Sequence, residues 1–151
     1  MTTINGIPAH ALLVHAIVVL TPLTAVLEVL CAVWRPARQR LVWLVLALAA
    51  AVLVLTPLTT SAGDWLYQRE AEASDILITH ANRGQWMIAF AIGLLVVAIA
   101  LAVLHRLESD RPRRALTVVV AVLAIAVGVW ATYGVYLIGD AGAEAVWGRQ
   151  S

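Results

Sequence analysis

The sequence predicts an all-α integral membrane protein: an up-down four-helix bundle, both termini outside, with a short interfacial helix between spans two and three. Three observations carry this. First, 62% of the 151 residues are hydrophobic and 13% charged, where a soluble domain is about half apolar and about a quarter charged. Second, four stretches of a single domain 1–151 qualify as spans, about 8–34, 41–60, 85–104 and 115–138; a hydrocarbon core of about 30 Å needs about 20 apolar residues of helix. Third, the connections are short, so neighbouring spans run antiparallel and satisfy their backbone polar groups internally. The net charge of +1 gives no reason to expect nucleic acid, and the single cysteine, Cys31, can form neither an intrachain disulfide nor a zinc motif.

Orientation follows from arginine in the short loops. RPARQR, with Arg35, Arg38 and Arg40, and HRLESDRPRR, with Arg106, Arg111, Arg113 and Arg114, hold seven of the ten basic residues. These two loops are expected on the cytoplasmic side.

The first span opens on Pro8, which suits a first helical turn, and is not a signal peptide: it lacks a basic leader and carries Glu28. Pro22 should kink it and free the carbonyl of Val18, with Thr21 and Thr24 at hand to satisfy it. His10, Ile17, Thr21, Thr24, Glu28 and Cys31 share one helical seam. A polar seam in a span is expected to face the bundle interior. Glu28, about two turns from Arg35, reads as paired with a loop arginine, with a proton or ion relay as the alternative. His15 lies about 140° around the helix from His10.

The second span repeats VLTPLT, residues 19–24, at 54–59; the repeat reads as chance or shared local packing. After it, DWLYQREAEAS suggests a short interfacial helix anchored by Trp65 and Tyr67. Ser74 is a candidate N-cap for the helix that carries His80 into span three. His105 reads as a solvated residue at the span's end. In span four Gly128 allows a close helix contact. Trp130, Tyr133 and Tyr136 form an aromatic belt or partners for a cofactor, and the tail Ala145, Val146 and Trp147 is expected against the outer interface.

Counting about 24 residues, or about 36 Å, outward from the cytoplasmic ends reaches His10, Asp64 or Trp65, His80, and Gly139 or Asp140. One polar group per span thus meets at the outer rim, with His15 about 7 Å deeper. Three readings compete. One is a wet interface without a cofactor, in a structural or accessory subunit. A second is a b-type haem ligated by histidines of spans one and three, His15 with His80 as the axial pair and His10 beside them. A third is a divalent metal held by His10, His80, Asp64 and Asp140. Transport has less support, since only Glu28 and the threonines are polar within the spans. No HExxH, CxxCH, phosphate loop or nucleophile–base set is present, so the chain is not expected to be an enzyme by itself.

The segments GIPAHALLVH, PLTTSAGDWL, the TH ending at His80, and YGVYLIGDAGAEAVWG resemble, in order and over nearly the whole chain, the bacterial membrane proteins of domain-of-unknown-function (DUF) family 2231. The resemblance implies a four-span protein of the bacterial plasma membrane with no assigned activity. It also implies that His10, His15 and His80 occupy the family's histidine positions. The family is distantly similar to four-helix b-type cytochromes, at the level of fold. Some members carry a histidine near the end of span four, where this chain has Asp140; a second histidine-ligated haem is therefore not expected. A redox role would require a membrane partner, or a second copy, to exchange electrons.

Overall fold

The computed structural model describes residues 3–4, 7–68, 75–108 and 113–147. Two short strands, β1 (Thr3–Ile4) and β2 (Ile7–Pro8), pair antiparallel ahead of the first helix. Five helices follow: α1 (Ala9–Val33), α2 (Arg35–Tyr67), α3 (Asp75–Gly84), α4 (Met87–Leu107) and α5 (Arg114–Trp147). Four runs are long and apolar enough to cross a membrane: His10–Val33, Arg35–Trp65, Asp75–Leu107 and Arg114–Glu144. The third comprises α3 and α4, joined through a turn at Gln85 and Trp86 where the Trp86 N–H donates to the Arg83 carbonyl at 3.0 Å.

The helices form a four-cornered bundle. α1 packs on α2 and α5, α4 packs on the same two, and α1 and α4 meet across the diagonal. Small and β-branched residues fill the interior, among them Ala32, Ala49, Ala91, Ala98, Ala124 and Ala131. Large apolar side chains such as Val26, Val54, Val96, Val122 and Val129 point outward, each about 60% exposed. That inversion of the soluble pattern suits a bundle whose solvent is lipid, where close helix approach depends on small interfacial residues. At Gly128 a β-carbon would stand 3.3 Å from that of Ala25, so glycine here sets the α1–α5 spacing.

Two expected connections are helical instead. RPARQR is no loop: only Trp34 separates α1 from α2. Pro36 sits in the first turn of α2, where its missing N–H leaves no bond unmade, so the chain turns back at once. DWLY, the start of the expected interfacial helix, forms the last turn of α2. No separate helix lies between α2 and α3 among the described residues, and residues 69–74, including the Ser74 cap, lie outside them. α2 and α5, at 33 and 34 residues, are each about 50 Å long. α5 runs straight on through residues 145–147, whose side chains lie outside the described set. Neither proline breaks its helix. Thr24 donates to the Leu20 carbonyl at 2.7 Å, and Thr21 finds no partner among the described residues, so neither hydroxyl bonds the carbonyl of Val18.

The end of the bundle where α1 meets α2 is locked by charge. Arg38 is 2% exposed. It donates to the carbonyls of Cys31 at 2.5 Å and Ala32 at 3.1 Å, which lie in the last turn of α1 and lack helical donors. Its other terminal nitrogen reaches Glu108 Oε2 at 2.6 Å, just beyond α4. Glu108 also accepts from Thr117 of α5 at 3.0 Å, and its carbonyl accepts from Arg35 at 3.1 Å. Arg38 and Glu108 together thus tie the ends of four helices. Burial alone would raise the Glu108 carboxyl, but the hydrogen bonds from Arg38 and Thr117 and the charges of Arg38 and Arg35 outweigh it. The carboxyl is held below its ordinary value of 4.5.

The unfolded chain therefore takes up this proton first as pH falls. The contribution of Glu108 to stability should be complete above about pH 4.5 and should be lost as pH falls through the lower folded value. Thermal unfolding of the detergent-solubilised protein between pH 7 and pH 3 should show this acid limb, and Glu108→Gln should flatten it. An unchanged limb in the variant would assign the acid sensitivity elsewhere.

Candidate functional site

At the opposite end of the bundle, two histidines meet. His10, in the first turn of α1, and His80, in α3, have ring centroids 6.3 Å apart and planes at 83°. Each is half-buried. The His10 Nδ1 lies 3.0 Å from the Thr59 carbonyl of α2, and the His80 Nδ1 lies 3.0 Å from the Ile138 carbonyl of α5. A carbonyl oxygen only accepts, so each Nδ1 carries the hydrogen. In a neutral ring that leaves Nε2 with the lone pair, the form that ligates a metal.

Each ring also rests on a glycine one turn beyond its carbonyl. A β-carbon on Gly63 would come within 2.9 Å of His10 Cε1, and one on Gly142 within 2.9 Å of His80 Cε1. Glycine is required here to admit the imidazole edge. Gly63→Ala or Gly142→Ala should displace the adjacent ring and break its bond to the Thr59 or Ile138 carbonyl. Nitrogen NMR of histidine-labelled protein should then show loss of the fixed Nδ1–H tautomer at that ring alone; retention of both tautomers in both variants would contradict the packing.

The two halves of the site are one design used twice. The buried α1 positions Ile17, Thr21, Thr24, Glu28, Cys31 and Ala32 stand 70 residues before the buried α4 positions Met87, Ala91, Leu94, Ala98, Leu101 and Ala102. His10 stands 70 before His80. Val45, Ala49, Val52 and Thr56 of α2 stand 79 before Ala124, Gly128, Ala131 and Val135 of α5, all buried. The bundle is therefore a pair of like hairpins, α1–α2 and α3/α4–α5. The VLTPLT repeat within the first hairpin is unrelated to this correspondence.

The other residues singled out in the sequence fall elsewhere. His15 is exposed and its Nδ1 lies 2.6 Å from the Ala11 carbonyl of its own helix. The structure pairs His80 with His10 and leaves His15 apart, because five residues of helix carry it off the interior face. Asp64 and Asp140 lie at the same end but are exposed, and among the described residues no group of three or more His, Cys, Asp or Glu side chains could hold a metal ion. The rim level is real in register, while the four-residue cluster is not assembled. Tyr133 and Tyr136 face outward, 60% and 65% exposed, along an open apolar groove between α1 and α5. Trp130 sets its ring edge-to-face with Phe90 at 4.6 Å. His105 is half-buried with its ring 6.3 Å from Trp43, over which Arg106 also lies at 5.2 Å.

Glu28 and Arg35 do not pair. Arg35 turns to Glu108, while Glu28 is fully buried and neither of its carboxylate oxygens has a hydrogen-bond partner among the described residues. The inward seam of α1 is otherwise as expected: Ile17, Thr21, Thr24 and Cys31 are buried and His10 half-buried. Sequence reasoning missed Gly63 and Gly142, though their spacing from Thr59 and Ile138 is four in both cases. It also missed Arg38 as a buried residue, because the six-residue run around it reads as a loop.

A sequence model of a family described as a predicted membrane protein, DUF2231, matches residues 6–150 of the chain. No curated protein and no solved structure matches it.

Proposed function

The chain belongs to the DUF2231 family of predicted membrane proteins, and from that premise we propose that it is a membrane module that holds a b-type haem between His10 and His80. The observation that carries the proposal is the pair itself. Two imidazoles on opposite sides of one metal ion, each bonded at about 2 Å through Nε2, place their ring centres about 6 Å apart. The 6.3 Å between the His10 and His80 ring centroids is close to that separation. Both Nδ1 atoms are held by backbone carbonyls, the arrangement that fixes the tautomer and orients a ligating histidine. Arg83, half-buried one turn beyond His80 and bonded to the Leu137 carbonyl at 3.3 Å, offers a cation for a haem propionate.

Bound there, haem would supply a one-electron carrier. The protein's part is to hold two neutral imidazoles in fixed orientation and to shield them from water on the bundle side. Exchange of electrons would fall to a membrane partner or a second copy of the chain. The concentration of arginine at the opposite end, in the first turns of α2 and around the α4–α5 connection, supports placing the histidine end on the outer face of a bacterial plasma membrane, with both termini there. A bare divalent metal is the weaker reading, since Asp64 and Asp140 are exposed and complete no ligand set.

The test is an absorption spectrum of the detergent-purified protein, expressed with haem supplied, oxidised and then dithionite-reduced. A Soret band with sharp reduced α and β bands is expected. It should vanish in His10→Ala and in His80→Ala and persist in His15→Ala. A colourless protein, or bands that survive both substitutions, would overturn the proposal.

A further inference from the structure

The buried side-chain atoms without a hydrogen-bond partner are Thr21 Oγ1, both carboxylate oxygens of Glu28 and Arg38 Nε, among the described residues. They belong to two residues of α1 and one of α2. Thr21 and Glu28 are two turns apart on the inward seam of α1, with Thr24 between them, and all three are fully buried. Cys31, one turn past Glu28, lies within electrostatic reach of both Glu28 and Arg38. Arg38 continues to Glu108 at the bundle's end. Unmet hydrogen-bonding capacity is costly in a bundle interior, yet here it is confined to a single file. The file runs from the arginine end, through Glu28 about 8 Å in, to Thr21 about 18 Å in.

Packing does not demand these polar groups. The like hairpin fills the corresponding positions of α4 with Ala91, Leu94, Ala98 and Leu101. The buried residues level with Glu28 on the neighbouring helices are Val42 and Val45 of α2, Ala98 and Leu101 of α4, and Val120 and Ala124 of α5. None titrates. Among the described residues, the titratable and charged groups that face Glu28 are thus Cys31 on its own helix and the Arg38–Glu108 pair beyond it.

We propose that this file is a hydrated proton half-channel, gated by the buried Arg38–Glu108 pair at one end and closed at Thr21, with Glu28 as its proton-binding group. Buried water is the ordinary partner of interior polar groups left unsatisfied by protein. A proton from bath water enters past Arg38 and Glu108, is bound as an O–H on one Glu28 oxygen, and leaves by the same path. The charge on the carboxyl changes by one at each exchange. This inference stands independently of any cofactor at His10 and His80, which sit at the other end.

The experiment is infrared difference spectroscopy of the full chain in lipid vesicles over a pH series, in H2O and D2O. The expected result is a protonated-carboxyl C=O band that shifts to lower frequency within the mixing time in D2O and is lost in Glu28→Gln. Should that variant not fold, ¹³C-glutamate labelling of the unaltered chain and of Glu108→Gln assigns the band. A Glu28 band that stays unshifted for hours would mean a sealed carboxyl and overturn the proposal, as would the absence of the band at every pH. Loss of the band on adding sodium at constant pH would overturn it in favour of a sodium site.

Discussion

Arg38→Met should cost the fold about 3–5 kcal/mol, the range for breaking a buried ion pair by removing one partner. The guanidinium is 2% exposed and makes contacts that nothing else replaces: two to the terminal carbonyls of α1 and one to Glu108. Methionine keeps most of the side-chain length but leaves the two α1 carbonyls without this donor and the mostly buried carboxylate with only the Thr117 hydroxyl and the more distant, exposed Arg35. The loss should appear as a lowered midpoint in denaturant titration of the protein in mixed micelles. The double variant Arg38→Met, Glu108→Gln should recover part of it, because the uncompensated charge is then gone. Arg35 supplies the contrast. It approaches the same carboxylate at 3.8 Å but is 54% exposed, so Arg35→Met should cost under about 1 kcal/mol. Equal losses for the two single variants would show that burial of Arg38 does not govern the lock.

Gly134→Ala should be the most damaging single-methyl change in the bundle, with a loss of about 1–3 kcal/mol or more. A β-carbon there would overlap the Cε2 and Cζ atoms of the Phe90 ring. That ring is 2% exposed and is held edge-to-face against Trp130 at 4.6 Å. It cannot move without parting α4 from α5 or leaving Trp130 unpaired. Gly139, five residues on in the same helix, has nothing within 4 Å of a β-carbon. Gly139→Ala should therefore be neutral or stabilising by up to about 1 kcal/mol, since alanine is the better helix former. Thermal unfolding in detergent of the two variants side by side checks the pair. A Gly134→Ala melting point matching that of Gly139→Ala would mean that the Phe90 ring is free to move aside.

The fold class was legible in the chain because lipid imposes a length and a composition on any spanning helix. The four spans needed no tertiary information, and neither did the inward seam of α1, since polar side chains in a span have one direction to go. The rim histidines were legible as a level, from rise per residue alone. Their pairing was not. Choosing His10 over His15 as the partner of His80 depends on helix rotation, and hydrophobic periodicity defines rotation poorly in helices that are apolar on every face.

Helix starts were misread where charge suggested a loop. Arg35 to Arg40 carry the arginine bias of a connection and also form the first turns of α2, since Pro36 costs a helix nothing there and Trp34 alone makes the turn. With that shift, Arg38 moved from solvent into the bundle's end and Arg35 was drawn to Glu108 rather than Glu28. The sequence by itself thus determined a four-span helical bundle with three of its four histidines toward one end and most of its arginines at the other. Only the tertiary structure decided which polar groups meet: His10 with His80 over paired glycines, Arg38 with Glu108, and Glu28 with nothing. The physical reason is that spacing along a helix sets depth and face, whereas a contact between helices depends on packing geometry that residues far apart in the chain set together.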